Sequence, residues 1–181
     1  MSYTDGNKKD GKHYWLTPDE LLESIRDEFG IDFDPCPYPK PEDFDGLTAD
    51  WGQSSYVNPP FGAIIGADGK KKGPTAWARK ALAEYEKGKR VVFVYPIDKW
   101  VLMLLSTGCE VRNLKDVKWL ATEDHEPGTG TGRHVAMFVL DPSKDPAAVK
   151  LAALEAVAEA ARTGKGLDDA LDALDALKGA E

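Results

Sequence analysis

The chain is expected to fold as a three-layer α/β sheet with a mixed edge, and three observations carry that expectation. Tyr56 to Asn58 and Val91 to Tyr95 read as buried central strands. Between them, Thr75 to Lys87 places Trp77, Ala81, Leu82 and Tyr85 on one helical face, which makes the segment a βαβ unit. Val117 to Leu120 and His134 to Leu140 then read as an antiparallel pair at the sheet edge.

The remaining elements follow in chain order. Residues 1–13 are polar and expected to be disordered, 14–141 form the main domain, and 142–181 form a C-terminal helical hairpin. In Trp15-Leu16-Thr17-Pro18-Asp19-Glu20, Thr17 fits an N-cap, Pro18 the first helical position, and Glu20 the far end of a capping box. Leu21, Leu22, Ile25 and Phe29 line one face of the helix that follows, and Gly30 stops it. Ile31-Asp32-Phe33-Asp34-Pro35-Cys36-Pro37 is a strand-like alternation entering a proline-rich turn. A further helix starts near Asp98 and includes Trp100 to Leu105, and Trp100 and Trp119 read as core aromatics. Beyond Asp141, Pro146 to Arg162 and Leu167 to Lys178 read as two helices joined by Thr163-Gly164-Lys165-Gly166. In the second, Leu167, Leu171 and Leu174 mark an apolar stripe with four aspartates largely off it. The hairpin is expected to pack on the sheet, with self-association or contact with a partner as alternatives.

Composition narrows the function classes. The chain has 181 residues, a net charge of −8, two cysteines far apart and three scattered histidines. A soluble, cytoplasmic protein is expected, with no membrane span, secretory signal, disulfide framework or metal site. An acidic balance also argues against a general nucleic-acid coat protein, which needs a positive footprint. Two glycine-rich stretches mislead. Gly128 to Gly132 precedes an apolar run instead of linking strand to helix, and Gly66 to Gly73 lacks the phosphate-loop spacing.

The tetrapeptide Asn58-Pro59-Pro60-Phe61, at the end of Ser55-Tyr56-Val57, carries the chemistry. An exocyclic amine on a nucleobase is a poor nucleophile because its lone pair is delocalised into the ring. The Asn58 carboxamide oxygen and the Pro59 carbonyl can each accept one of its N–H bonds and aim the nitrogen at an electrophile, with no strong base needed. The prolines hold φ near about −65° and keep the preceding residues extended, so the acceptors are in place beforehand. Phe61 offers a π-face to a base lifted from a duplex. The competing reading is a turn closing a strand, with Phe61 in the core.

Two upstream segments agree. The Thr17 hydroxyl at a helix start is a cap or a carboxylate ligand. Asp34, at a strand's carboxyl end, is an Asx turn or the partner of an ammonium group.

Taken together, Trp-x-Thr-Pro, Asp-Pro-Cys, Asp-Gly-Leu with a following Trp51, and Asn-Pro-Pro-Phe resemble the phage-type DNA N6-adenine methyltransferases, the Dam-like family of phages and prophages, from about Trp15 to about Leu140. The resemblance implies a Rossmann-like fold that uses S-adenosylmethionine to methylate adenine in double-stranded DNA, encoded by a phage or prophage. It further implies Trp15, Thr17, Pro18, Asp34, Pro35, Cys36, Asp50 and Asn58 around the cofactor, with Asp45 a weaker candidate for the role of Asp50. Asn58, Pro59, Pro60 and Phe61 would form the target-base site. No Gly-x-Gly follows the Asp34 strand, so the Asp-Pro-Cys turn is expected to take its place. Lys70, Lys71, Lys72 and Arg79, with Lys80, read either as phosphate contacts beside the flipped base or as a solvated face. Rival readings are N4-cytosine, RNA or protein-glutamine methylation, and a catalytically silent DNA-binding or decoy protein.

Overall fold

The computed structural model describes residues 15–122, 124–128 and 134–144, with 154–155, 157–159 and 162–163 of the C-terminal segment. The N-terminal segment 1–13 and the predicted helix from Leu167 to Lys178 lie outside the described residues. Where it is described, the segment from Leu154 to Arg162 is helical, and Thr163, predicted as part of the joint, continues it. The chain divides into two units, Met1–Leu140 and Asp141–Glu181.

The first unit contains β1 (Trp15–Leu16), α1 (Asp19–Phe29), β2 (Ser54–Val57), β3 (Ile64–Ile65), β4 (Lys71–Lys72), α2 (Pro74–Tyr85), β5 (Arg90–Pro96), α3 (Val101–Leu105), β6 (Glu110–Lys115), β7 (Leu120–Ala121) and β8 (Val135–Leu140). Its main sheet has the order β2-β5-β8-β6. Phe33 extends it beyond β2 through a parallel bridge to Ser55. β2 and β5 are parallel, while β8 runs antiparallel to both β5 and β6. This is a mixed α/β fold. The alternation along β5 divides the core: Val91, Phe93 and Tyr95 meet Trp77, Ala81 and Leu104 of α2 and α3, while Val92 and Val94 lie in the cluster of Ile25 and Phe29 of α1. Helices therefore cover both faces.

Two expectations are corrected. β8 is an interior strand with all six residues buried, and its second partner is Glu110–Lys115 instead of Val117 to Leu120. Glu110–Lys115 escaped notice because its sequence is mostly polar. Its Arg112 lies over the Phe29 ring at 5.4 Å and pairs with Glu28, so a charged side chain covers apolar surface. Leu120–Ala121 instead pairs antiparallel with Trp15–Leu16, while Val117 and Trp119 are buried without forming a strand. The α1 cap also differs. The helix begins one residue later than expected, with Pro18 as N-cap and no side-chain capping bond, because the Thr17 hydroxyl is engaged elsewhere.

The amino ends of the strands hold an ionic cluster that periodicity concealed. Glu84, on α2, is fully buried and accepts hydrogen bonds from Lys80 at 2.6 Å, Lys87 at 2.8 Å and Lys89 at 2.8 Å. Burial alone would raise its pKa, but the three ammonium groups hold it at about 2, below its ordinary 4.5. The stabilisation is thus complete above pH 4.5 and is lost as pH falls towards 2. Glu84→Gln is expected to lower the unfolding free energy by about 2 kcal/mol at neutral pH, read by denaturant titration, because Lys80, Lys87 and Lys89 lose their buried carboxylate while Lys89 keeps Asp50 and the Trp51 carbonyl.

Candidate active site at the carboxyl ends of the parallel strands

Phe33, β2 and β5 run in one direction and end beside one another, so Asp34, Asn58 and the Tyr95-Pro96 pair leave the sheet at the same edge. That edge is where open α/β sheets hold ligands. Trp15 and Thr17 reach it from outside the main sheet: both accept hydrogen bonds from Asn58, through the Trp15 carbonyl at 3.4 Å and Thr17 Oγ1 at 3.3 Å. These acceptors determine the orientation of the carboxamide. A carbonyl can only accept, so the amide nitrogen faces Trp15 and the oxygen points the other way. Asn58 Oδ1 is buried and has no hydrogen-bond partner among the described residues. An amide oxygen desolvated in this way is a free acceptor held ready for a donor.

The rest of the tetrapeptide is fixed around it. Pro60 offers its carbonyl to the Tyr95 hydroxyl at 3.4 Å, whereas the Pro59 carbonyl takes no hydrogen bond from the described residues. Phe61 is half-buried and meets Tyr95 and Trp119 edge-to-face, with both centroid distances 5.2 Å. This is the anchored ring of the competing turn reading, and stacking on a base is confined to the part still exposed. Trp100 and Trp119 are buried in the core, as expected.

Asp34 forms the Asx turn, accepting the Cys36 amide at 2.7 Å through Oδ1, while Oδ2 makes no hydrogen bond among the described residues. Burial pushes the carboxyl up to about 6, against smaller lowering effects from the Cys36 amide and the nearby Arg26. A half-buried carboxylate with a spare oxygen suits a cationic ligand, so the turn and ammonium readings are compatible. The Cys36 thiol is pushed up by its burial and then by Asp34, which makes it a poor nucleophile.

Asp-Gly-Leu…Trp has a structural explanation. Gly46 packs so closely on the Asp-Pro-Cys turn that a Cβ would sit 1.9 Å from the Pro35 carbonyl oxygen. Its own carbonyl accepts the Trp51 indole N–H at 2.7 Å. Asp45 caps Leu47 and accepts the Ala67 amide at 3.2 Å, tying this loop to the β3–β4 hairpin. Gly46→Ala is expected to displace the 34–36 turn and lower the melting temperature with a native-like circular dichroism spectrum, since backbone cannot yield as a side-chain tip can.

Other predicted site residues fall elsewhere. Asp50 is exposed at the amino ends of the strands, bonded to Lys87 and Lys89, and Lys89 directly precedes the residue in register with Ser54. It is therefore at the edge opposite Asn58 and is removed from the cofactor set. Pro18 serves as the α1 N-cap. Lys72 is paired with Asp68 at 2.7 Å, and Lys80 with Glu84, so neither is a free cation. Lys70, Lys71 and Arg79 are exposed and form no salt bridge among the described residues. Gly128 lies against the Trp15 ring, where a Cβ would come within 2.4 Å, so its lack of a side chain serves packing. Residues 129–133 of that glycine-rich stretch lie outside the described residues.

Tyr56, read from sequence only as a strand residue, also belongs to the site: its hydroxyl is hydrogen-bonded to Thr17 Oγ1. The available signal was its spacing, since residues two apart in a strand share a face and Tyr56 lies two before Asn58. Among the described residues, no group of three or more His, Cys, Asp or Glu side chains could hold a metal ion, and no helix is long and apolar enough to cross a membrane. Comparisons with models of protein families, with curated proteins and with solved structures find no match to this chain.

Proposed function

We propose that the protein is a Rossmann-like, S-adenosylmethionine-dependent methyltransferase of the phage DNA N6-adenine type, acting on the exocyclic amine of adenine in double-stranded DNA. The observation that carries this reading is the buried, unpartnered Asn58 Oδ1, whose direction is set by the Trp15 and Thr17 acceptors. Together with the open Pro59 carbonyl, it offers two acceptors in adjacent residues to the two N–H bonds of one amine.

The residues present fit the methionine end of the cofactor. Asp34 Oδ2 would receive its ammonium group, and the Thr17 hydroxyl its carboxylate. When bound, S-adenosylmethionine supplies an electrophilic methyl group on a sulfonium. Asn58 and Pro59 hold the amine so that its lone pair leaves conjugation with the ring. The chemistry the cofactor would supply is direct displacement, the S–CH3 bond breaking to leave a neutral thioether as the N–CH3 bond forms; the residues here would only hold the amine, whose surplus proton would pass to water, with no covalent enzyme intermediate. Phe61 and Tyr95 keep the Pro-Pro turn rigid and water away from it. Lys70, Lys71 and Arg79 are the cations available for phosphate contacts, and binding through them would weaken with salt.

Transfer of labelled methyl from S-adenosylmethionine to unmethylated DNA, followed by nucleoside mass analysis, tests the reading. N6-methyladenine is the expected product. N4-methylcytosine would move the acceptor to the other base, and unlabelled DNA would refute the assignment.

A further inference from the structure

We propose that Tyr56 is a positioning residue of this site, acting through Thr17 to keep the Asn58 carboxamide turned so that its oxygen faces the amine. This inference rests on the reading of Asn58 as the amine acceptor. Tyr56 touches no predicted ligand, and nothing in the sequence motifs points to it.

The observations form a chain of three side chains. Tyr56 is 3% exposed, with its ring in the core cluster of α1 and its hydroxyl on Thr17 Oγ1. Thr17 is itself buried and receives the Asn58 amide. Burial pushes the phenol well above its ordinary value, so Tyr56 stays protonated across the working pH range. A buried O–H needs an acceptor, and Thr17 Oγ1 is the one it meets among the described residues. Either hydroxyl can donate in this bond; with the phenol donating, the Thr17 oxygen accepts from it and from the Asn58 amide, and its own proton is left for a ligand.

The consequence for Asn58 is selective. A carboxamide rotated by half a turn would place its oxygen against the Trp15 carbonyl and its NH₂ group towards the incoming amine, donor facing donor. The lone pairs of Trp15 and Thr17 oppose that rotation, and the Trp15 contact alone is long at 3.4 Å. Local sequence works against Thr17 here, because Thr-Pro-Asp-Glu favours turning the hydroxyl back onto the α1 amides. Tyr56, rigid in the core, decides that competition in favour of the site.

The test uses the full chain with Tyr56→Phe, Thr17→Val, Thr17→Ser and Asn58→Ala, each checked by thermal melting. Tyr56→Phe is expected to lower kcat at saturating S-adenosylmethionine about three- to tenfold, the loss of one hydrogen bond. Thr17→Val should lower kcat at least as much, and Thr17→Ser should restore it. Independently of activity, the Asn58 side-chain NH₂ signals in ¹⁵N NMR should exchange with water faster in Tyr56→Phe and Thr17→Val than in the parent. Parental kcat and NH₂ exchange in Tyr56→Phe, beside an inactive Asn58→Ala, would overturn the role of Tyr56 and leave the active-site reading standing. Full activity in Asn58→Ala would overturn that reading itself.

Discussion

Asn58→Ala is expected to lower methyl transfer about 10²–10³-fold while leaving S-adenosylmethionine binding nearly unchanged, measured as kcat on unmethylated DNA beside calorimetric cofactor titration. The side chain contributes little to the core. Its amide makes two long hydrogen bonds, of 3.3 and 3.4 Å, and its oxygen makes none among the described residues. Removing it therefore deletes a group whose unsatisfied acceptor the fold alone does not use, and the melting temperature should stay close to the parent's or rise. A buried acceptor left open in the free protein gains its partner when substrate enters, so the loss should appear in kcat. Asn58→Asp would keep an acceptor but place a second carboxylate at the strand edge that holds Asp34, and should restore little activity. If Asn58→Ala instead lost the cofactor as strongly as Asp34→Asn, the division between base and cofactor residues would be wrong.

The second large effect concerns Asp34. Its carboxyl is pushed up to about 6, above the ordinary 3.8, chiefly by burial. A folded-state value above the unfolded one means that the native chain holds this proton more tightly. Asp34 thus contributes its stability below pH 3.8, and that contribution is lost as pH rises through about 6. Cofactor binding has the opposite sign. An ammonium ligand needs the ionised carboxylate, so affinity for S-adenosylmethionine should be level above pH 6 and fall up to about tenfold per unit below it. Asp34→Asn retains the acceptor for the Cys36 amide and with it the turn. At pH 7.5 this variant is expected to melt higher than the parent without cofactor, and to bind S-adenosylmethionine at least about thirtyfold more weakly, the loss of one charge-assisted pair. Its affinity should no longer change between pH 5 and pH 7. A parental affinity in Asp34→Asn would remove the carboxylate from the cofactor site.

Much of the fold was legible because its strongest signals are local. Ile25 and Phe29 repeat at helical spacing, Gly30 ends α1 with φ of 59°, and the apolar run of β5 marks a strand buried on both faces of the sheet. The strand Glu110–Lys115 was hidden because its stabilising partners are charged and distant: Arg112 reaches Glu28, 84 positions away. Glu84 was hidden for the same reason, since a glutamate on a helix reads as solvated until three lysines are found around it.

The site divides along similar lines. Asn58-Pro59-Pro60 could be identified from sequence because rigid backbone and acceptor chemistry reside in three consecutive residues. Asp34 could be placed at a strand end for the same reason. Whether Thr17 caps its own helix or turns towards Asn58 was a contest between a local bond and a tertiary one, and the hydroxyl of Tyr56, 39 residues away, decided it. Asp50 lost its proposed role because chain direction alone puts it at the opposite end of β2. By itself, then, the sequence determined the alternation of strands and helices and the chemical character of the Asn-Pro-Pro turn, since both depend on neighbours in the chain. The tertiary structure alone decided which donors are satisfied and which acceptor stays open, because those depend on groups the chain brings together only when it folds.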